Sequence, residues 1–203
     1  MALAARERRT QSQRRLATRA LLLEATVACL AELGYSRTST TEIVRRAGVS
    51  RGAQVHHFPT KADLVASALD HVFERRNAEF RAALAEVPEG TNKAVAAIDL
   101  LWSMFEGPAF VAWTELWVAA RTDPDLAAAV VSVERRFTDE TRAMFAELFP
   151  DQADAGAVLP DIARDFAFAL MQGVAIQRLF PHGERPAADY VEALKQVFTL
   201  VQR

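Results

Sequence analysis

A chain of 203 residues, half of them apolar and a quarter charged, is long enough to bury one large core or two small ones and has the balance of a water-soluble protein. Its one cysteine, Cys29, excludes an internal disulfide and a cysteine-based metal site. No apolar run reaches the roughly 20 residues that span a bilayer, and the basic opening lacks the apolar centre of a secretory signal. The expected location is therefore the reducing cytoplasm, with no membrane partner. The net charge of -2 hides an asymmetry: residues 1–61 carry 11 Lys/Arg against 4 Asp/Glu, and residues 62–203 carry 13 against 22. A basic front of +7 and an acidic back of -9 suit a first segment that faces a polyanion; uneven surface charge without a partner is the plainer reading.

In chain order, Arg6, Arg8, Arg9, Arg14 and Arg15 read as a basic, disordered arm. A first helix follows, with Leu16, Ala20, Leu23, Val27 and Leu30 as an apolar stripe at steps of three and four, stopping at Gly34. Ser39-Thr40-Thr41-Glu42 has the form of a capping box and opens a short helix through Ile43 and Ala47 to Gly48. Ser50 caps a second short helix from Arg51 to about Phe58, where Pro59 ends it. The turn Ala47-Gly48-Val49-Ser50 has room only for a tight helix-turn-helix corner. Thr60 to Asp63 is another capping box, and a long helix runs from it to about Val87. Beyond the break at residues 88–92, helices are expected over 93–105, 109–121, 124–149, 161–180 and 187–202. With about nine helices and almost no strand signal, the expected class is all-α.

The second helix of a helix-turn-helix lies in the major groove while the first crosses the backbone. Arg51 opens that second helix, where a guanidinium reaches base edges and pairs with guanine. Gln54 lies three positions on and can read adenine, and Gly52 and Ala53 are small enough for close approach. Thr40 and Thr41 can donate to phosphate at the start of the preceding helix, and His56, His57 and Lys61 suit phosphates across the groove. Each has a structural alternative: the threonines as caps, His57 as a packed histidine, Lys61 as a solvated first-turn residue.

The run from Gly34 to Gly52, continuing through Ala53-Gln54-Val55-His56-His57-Phe58-Pro59-Thr60-Lys61-Ala62-Asp63-Leu64, resembles the signature of tetracycline-repressor-like (TetR) regulators over roughly 30 residues. Glu115 to Pro124 resembles a stretch common in one branch of that family. The resemblance implies a three-helix DNA-binding domain over residues 1–60 and a ligand-binding and dimerisation domain over 61–203. It places Thr40, Thr41, Arg51, His56, His57 and Lys61 where DNA contacts are usual. Two departures stand out. Val55 replaces a common Tyr that donates to a phosphate, and Gln54 stands where a buried Leu is frequent, so packing at the core edge competes with base reading.

In the second half, Trp102, Phe105, Phe110, Trp113 and Trp117, with Met104, Met144 and Phe145, are candidate walls of an apolar pocket; an ordinary core is the alternative. By the family analogy a small-molecule effector, apolar or aromatic, sits there. Residues 161–180 form an apolar stripe of Ile162, Phe166, Ala169, Gly173, Ile176 and Phe180, with Leu170, Met171, Val174 and Leu179 off it. The last helix offers Tyr190, Leu194, Val197 and Val201, with Val191 and Phe198 beside them. Two helices apolar on several sides suit a four-helix homodimer interface, with Phe166, Leu170, Gly173, Val174, Leu194, Val197, Phe198 and Val201 as its candidates. A central place in a monomer is the alternative. No nucleotide loop, nucleophile elbow or His-Glu metal motif is present, so no enzyme, cofactor or metal is expected. A protein-binding module would explain the helices but not the arginines, and an architectural DNA binder without effector would leave the aromatics unexplained. The expected mechanism, as the resemblance implies, is a repressor released from operator DNA when its effector binds.

Overall fold

The computed structural model describes residues 10–148, 158–180 and 186–201. Among these are nine helices: α1 (Gln11–Arg37), α2 (Thr40–Ala47), α3 (Arg51–His57), α4 (Lys61–Ala85), α5 (Lys93–Met104), α6 (Pro108–Ala120), α7 (Pro124–Leu148), α8 (Val158–Gln177) and α9 (Ala187–Val201). No strand occurs among them.

Thr10 caps α1 with Gln13 in a reciprocal capping box. Arg14 and Arg15 therefore belong to the helix and not to the arm; Arg6, Arg8 and Arg9 lie outside the described residues. The buried face is Leu22, Leu23, Thr26, Val27, Cys29 and Leu30, whereas Leu16 is 66 % exposed and Ala20 is exposed as well. Periodicity marked the apolar face correctly but not the length over which another element covers it. The helix also does not stop at Gly34. It kinks there, at φ 73 and ψ 168, a conformation open to glycine alone, and runs on to Arg37.

The two short helices form as their caps dictate. Ser39 accepts from the Glu42 N–H, but the return half of the box is missing because the Glu42 carboxylate takes Arg45 and Arg46 instead, at 2.6–2.8 Å. Those bonds, Arg45 first, hold its carboxyl down at about 2. Arg46 also reaches Glu32 at 2.6 Å, pinning α2 to α1. Gly48 closes α2 in the left-handed conformation, φ 65 and ψ 30, and Ser50 caps α3 through the Ala53 N–H. Thr60 and Asp63 make the full capping box of α4.

One apolar cluster joins α1, α2, α4, α6 and α7, with Leu22, Leu30, Ile43, Leu64, Leu116 and Leu126 at its centre. A second joins α5, α6, α8 and α9 through Ile98, Phe110, Met171 and Leu194, and a third packs Phe80 and Leu84 of α4 on Ala97 and Met144. Trp113 touches the first two clusters. The apolar packing of residues 10–60 thus runs unbroken into α4 and α6, so α1 and α2 share their core with the helices that follow.

Candidate nucleic-acid interface and cavity

The α2–α3 corner leaves one face open. Arg51, the first residue of α3, is exposed, as are Gly52 and His56; a Cβ at Gly52 would meet nothing nearer than the Ser50 hydroxyl at 4.0 Å. Thr41 is exposed and Thr40 half-buried in the first turn of α2. Val55 is exposed, so the position that departs from the signature lies on the same outer surface. His57 is half-buried beside His56, ring centroids 5.6 Å apart. Burial first, then the charges of Arg15, His56 and Arg19, push its imidazole below the usual range.

Two candidates point inward. Gln54 is 2 % exposed, and its Nε2 donates to the Phe58 carbonyl at 2.6 Å. It satisfies an orphan carbonyl at the end of α3 and cannot reach a base, which corrects the base-reading assignment. Lys61 is half-buried; its Nζ donates to the Tyr35 carbonyl at 2.8 Å and sits 3.7 Å from the Tyr35 ring, and burial lowers its pKa. It braces the start of α4 against the end of α1, leaving its other N–H donors open.

The same tyrosine ties this region to the rest. The Tyr35 N–H donates to Glu115 of α6 at 3.3 Å, and its hydroxyl donates to Asp123 at 3.2 Å. Asp123 also caps α7 through the Leu126 N–H. Glu115 lies so close under the kink that a Cβ on Gly34 would fall 2.7 Å from its Oε2.

A cavity opens between α4, the end of α5, α6, α7 and α8, lined by Val72, Phe73, Arg76, Met104, Phe105, Ala109, Phe110, Trp113, Phe137 and Phe168. Phe73 packs on Phe137 at 4.4 Å and edge-on to Trp113 at 5.3 Å; Phe105 meets Phe110 and Phe168, each at 5.7 Å. The open space is about 20 Å³, enough for a water molecule and no larger guest. Of the residues expected here, Met104, Phe105, Phe110 and Trp113 line the cavity, and Trp102, Trp117, Met144 and Phe145 do not. Trp102 bonds Glu106 through Nε1 and lies under Arg178. Trp117 is 46 % exposed, because the step from Trp113 carries it round the helix to solvent. Met144 and Phe145 belong to the Phe80 cluster. Phe73, Arg76, Phe137 and Phe168 were not anticipated.

On α8, Ile162, Phe166, Ala169 and Gly173 of the expected stripe are exposed, Phe166 at 59 %, and a Cβ at Gly173 would meet nothing within 4 Å, whereas Ile176 packs partly against the second cluster. Phe180 and, on α9, Val197 extend the exposed apolar surface. Val174 and Leu194 are instead buried within the chain's own core, and Leu170 and Phe198 pack partly against it; these four face inward because α8 and α9 first cover α5 and α6. The side chain of Val201 lies outside the described residues. No single helix among the described residues is long and apolar enough to cross a membrane, and no cluster of metal-ligating residues occurs among them.

Residues 22–68 match the sequence model for bacterial regulatory proteins of the tetR family, and residues 103–199 match the C-terminal model of BetI-type transcriptional repressors. A helix-turn-helix-type transcriptional regulator of Mycobacterium tuberculosis is 38 % identical over 149 residues, covering 71 % of this chain and 76 % of the relative. Among solved structures, a transcriptional regulator from Pseudomonas aeruginosa PAO1 superposes with a TM-score of 0.72 at 25 % identity, over 97 % of this chain and 94 % of that one. The TetR-like regulator LfrR of Mycobacterium smegmatis, solved with proflavine, superposes at 0.58 with 23 % identity, over 92 % and 96 %.

Proposed function

The chain belongs to the TetR family of helix-turn-helix transcriptional regulators, and from that premise we propose that it is a homodimeric repressor that leaves its operator when a small apolar or aromatic effector enters the α4–α8 cavity. Residues 1–60 act as the reading head and 61–203 as the effector and dimer domain. Arg51 reads base edges from the start of α3, and Thr40, Thr41, Gly52, His56 and His57 approach the backbone around it.

The observation that carries this reading is that cavity and head share two helices. α4 begins at the head, where Lys61 holds Tyr35, and supplies Val72, Phe73 and Arg76 to the cavity wall. α6 supplies Ala109, Phe110 and Trp113 and, two residues on, the Glu115 that grips the α1 kink. A cavity with room for one water cannot admit an effector unless those walls part, and walls that part carry the head with them. In a dimer the two α3 helices must sit about 34–36 Å apart to enter successive major grooves. A small tilt of α4 therefore costs both contacts, and a coupling of about 1–3 kcal/mol shifts operator affinity roughly 5–150-fold.

The exposed stripe on α8 is the dimer face, its occupant a second copy of the same helix pair. It is apolar along its length, and a C2 axis makes one such stripe self-complementary. Phe166→Glu should yield a monomer by multi-angle light scattering that binds single half-sites weakly and full operators no better. A Phe166→Glu protein that stays dimeric and binds operator normally would remove this face from the reading.

A further inference from the structure

We propose that the effector is an aromatic monocarboxylate, its ring held by the cavity's aromatic walls and its carboxylate by Arg76. The inference rests on the reading of the α4–α8 cavity as the effector site and names the chemical class that site selects.

Arg76 is the one charged residue among those lining the cavity. Its place on α4 is anomalous: Val65, Leu69, Val72, Phe80 and Leu84 make a buried apolar stripe, and Arg76 falls where that stripe calls for another apolar side chain. Its guanidinium is poorly used. Nε is buried and has no hydrogen-bond partner; Nη2 lies 3.4 Å from the Glu106 carbonyl, and Nη1 lies 3.6 Å from Glu79. Charge-assisted bonds run to about 2.7–2.9 Å, so neither contact satisfies the group. The nearby carboxylates are shared: Glu106 takes Trp102 and Arg178, and Glu79 also faces Arg75 at 3.8 Å.

The surroundings deepen the deficit. Asn77 Oδ1 and Thr141 Oγ1 are likewise buried without partners. Both, like Arg76, lie in the helical turn that follows the stacked Phe73 on α4 and Phe137 on α7. The N-terminus of α6 comes to the same place, for a Cβ at Gly107 would stand 4.0 Å from Arg76 Nη2, and that helix end has no side-chain cap. A guanidinium and a positive helix end beside a ring-lined cavity match a planar carboxylate, which takes Nε–H and Nη–H together as a fork. The edge-to-face contacts of Phe73, Trp113, Phe105 and Phe168 supply the geometry an aromatic body meets. A cationic ligand would be repelled by Arg76, and a plain hydrocarbon would leave Arg76 Nε without an acceptor.

The test is calorimetric titration of the full chain with 1-naphthoate, 1-naphthamide and naphthalene, using wild type, Arg76→Gln and Trp113→Leu. The naphthoate should bind wild type about 10- to 100-fold more tightly than the amide. Arg76→Gln should bring the two affinities together, the acid losing far more than the amide, and Trp113→Leu should weaken both. Should Arg76→Gln fail to fold, the acid-to-amide ratio on wild type and on Arg76→Lys decides the matter. Equal affinity for acid and amide, weakened alike by Trp113→Leu, would overturn the carboxylate assignment while leaving the cavity as the effector site. No binding of any of the three, or binding indifferent to Trp113→Leu, would overturn both.

Discussion

Substituting Gly34 by Ala tests the junction between reading head and cavity. Gly34 has φ 73 and ψ 168, a region essentially closed to other residues, where occupancy costs about 1–3 kcal/mol. The new Cβ would also lie 2.7 Å from Glu115 Oε2, so the carboxylate must swing away and give up the Tyr35 N–H, an exposed bond worth about 0.5–1.5 kcal/mol. Together these predict a loss of about 2–4 kcal/mol for Gly34→Ala. In a Glu115→Ala background the same substitution meets no carboxylate and only the backbone strain remains, about 1–3 kcal/mol, leaving a coupling of roughly 1 kcal/mol between the two sites. Urea unfolding followed by circular dichroism measures all four proteins, at one fixed concentration so that any association enters each equilibrium alike. A Gly34→Ala protein within about 0.5 kcal/mol of wild type, or identical costs in both backgrounds, would refute the account of this junction.

Three further outcomes follow from the same geometry. Arg51→Ala should weaken operator binding by about 1–3 kcal/mol and flatten the preference for operator over random DNA in an anisotropy titration; an unchanged preference would take base reading away from Arg51. Gln54→Ala should cost about 1–3 kcal/mol of stability by unpairing the Phe58 carbonyl yet leave base preference intact, and altered preference at a defined operator position would restore it as a reader. Glu42→Gln probes acid stability. The Glu42 carboxyl sits at about 2 in the fold against 4.5 when free, so its contribution is complete above about pH 4.5 and fades as the pH falls towards 2. The stability gap between Glu42→Gln and wild type should be constant at neutral pH and close only below pH 4.5; a gap that closes already between pH 7 and 5 would contradict the pairing with Arg45 and Arg46.

Much of this molecule was legible in the chain because caps and breakers are local. Ser39, Gly48, Ser50, Thr60 and Asp123 each punctuate a helix where their side chains or backbone freedom demand it. Gly34 was legible as a special residue but not as a kink within a longer helix, since that depends on Thr38, whose N–H and hydroxyl both bond the Gly34 carbonyl. Gln54 shows the limit of face counting: spacing alone put it beside Arg51, while the tight end of α3 turned it inward to a carbonyl. The cavity was half visible. Phe105, Phe110 and Trp113 are close in sequence, but Phe73, Phe137 and Phe168 come from three other helices and meet only on folding. Arg76 did leave a trace, a charge interrupting the apolar stripe of α4, and that interruption was the signal to follow.

The most direct test of the regulator reading is a titration of the purified protein against labelled DNA from immediately upstream of its own gene, at two salt concentrations, with random DNA as competitor. The account predicts tight binding that survives the higher salt, prefers the upstream fragment, and is lost in Arg51→Ala. Weak binding, equal on both DNAs and abolished by salt, would contradict a sequence-specific regulator acting at that site.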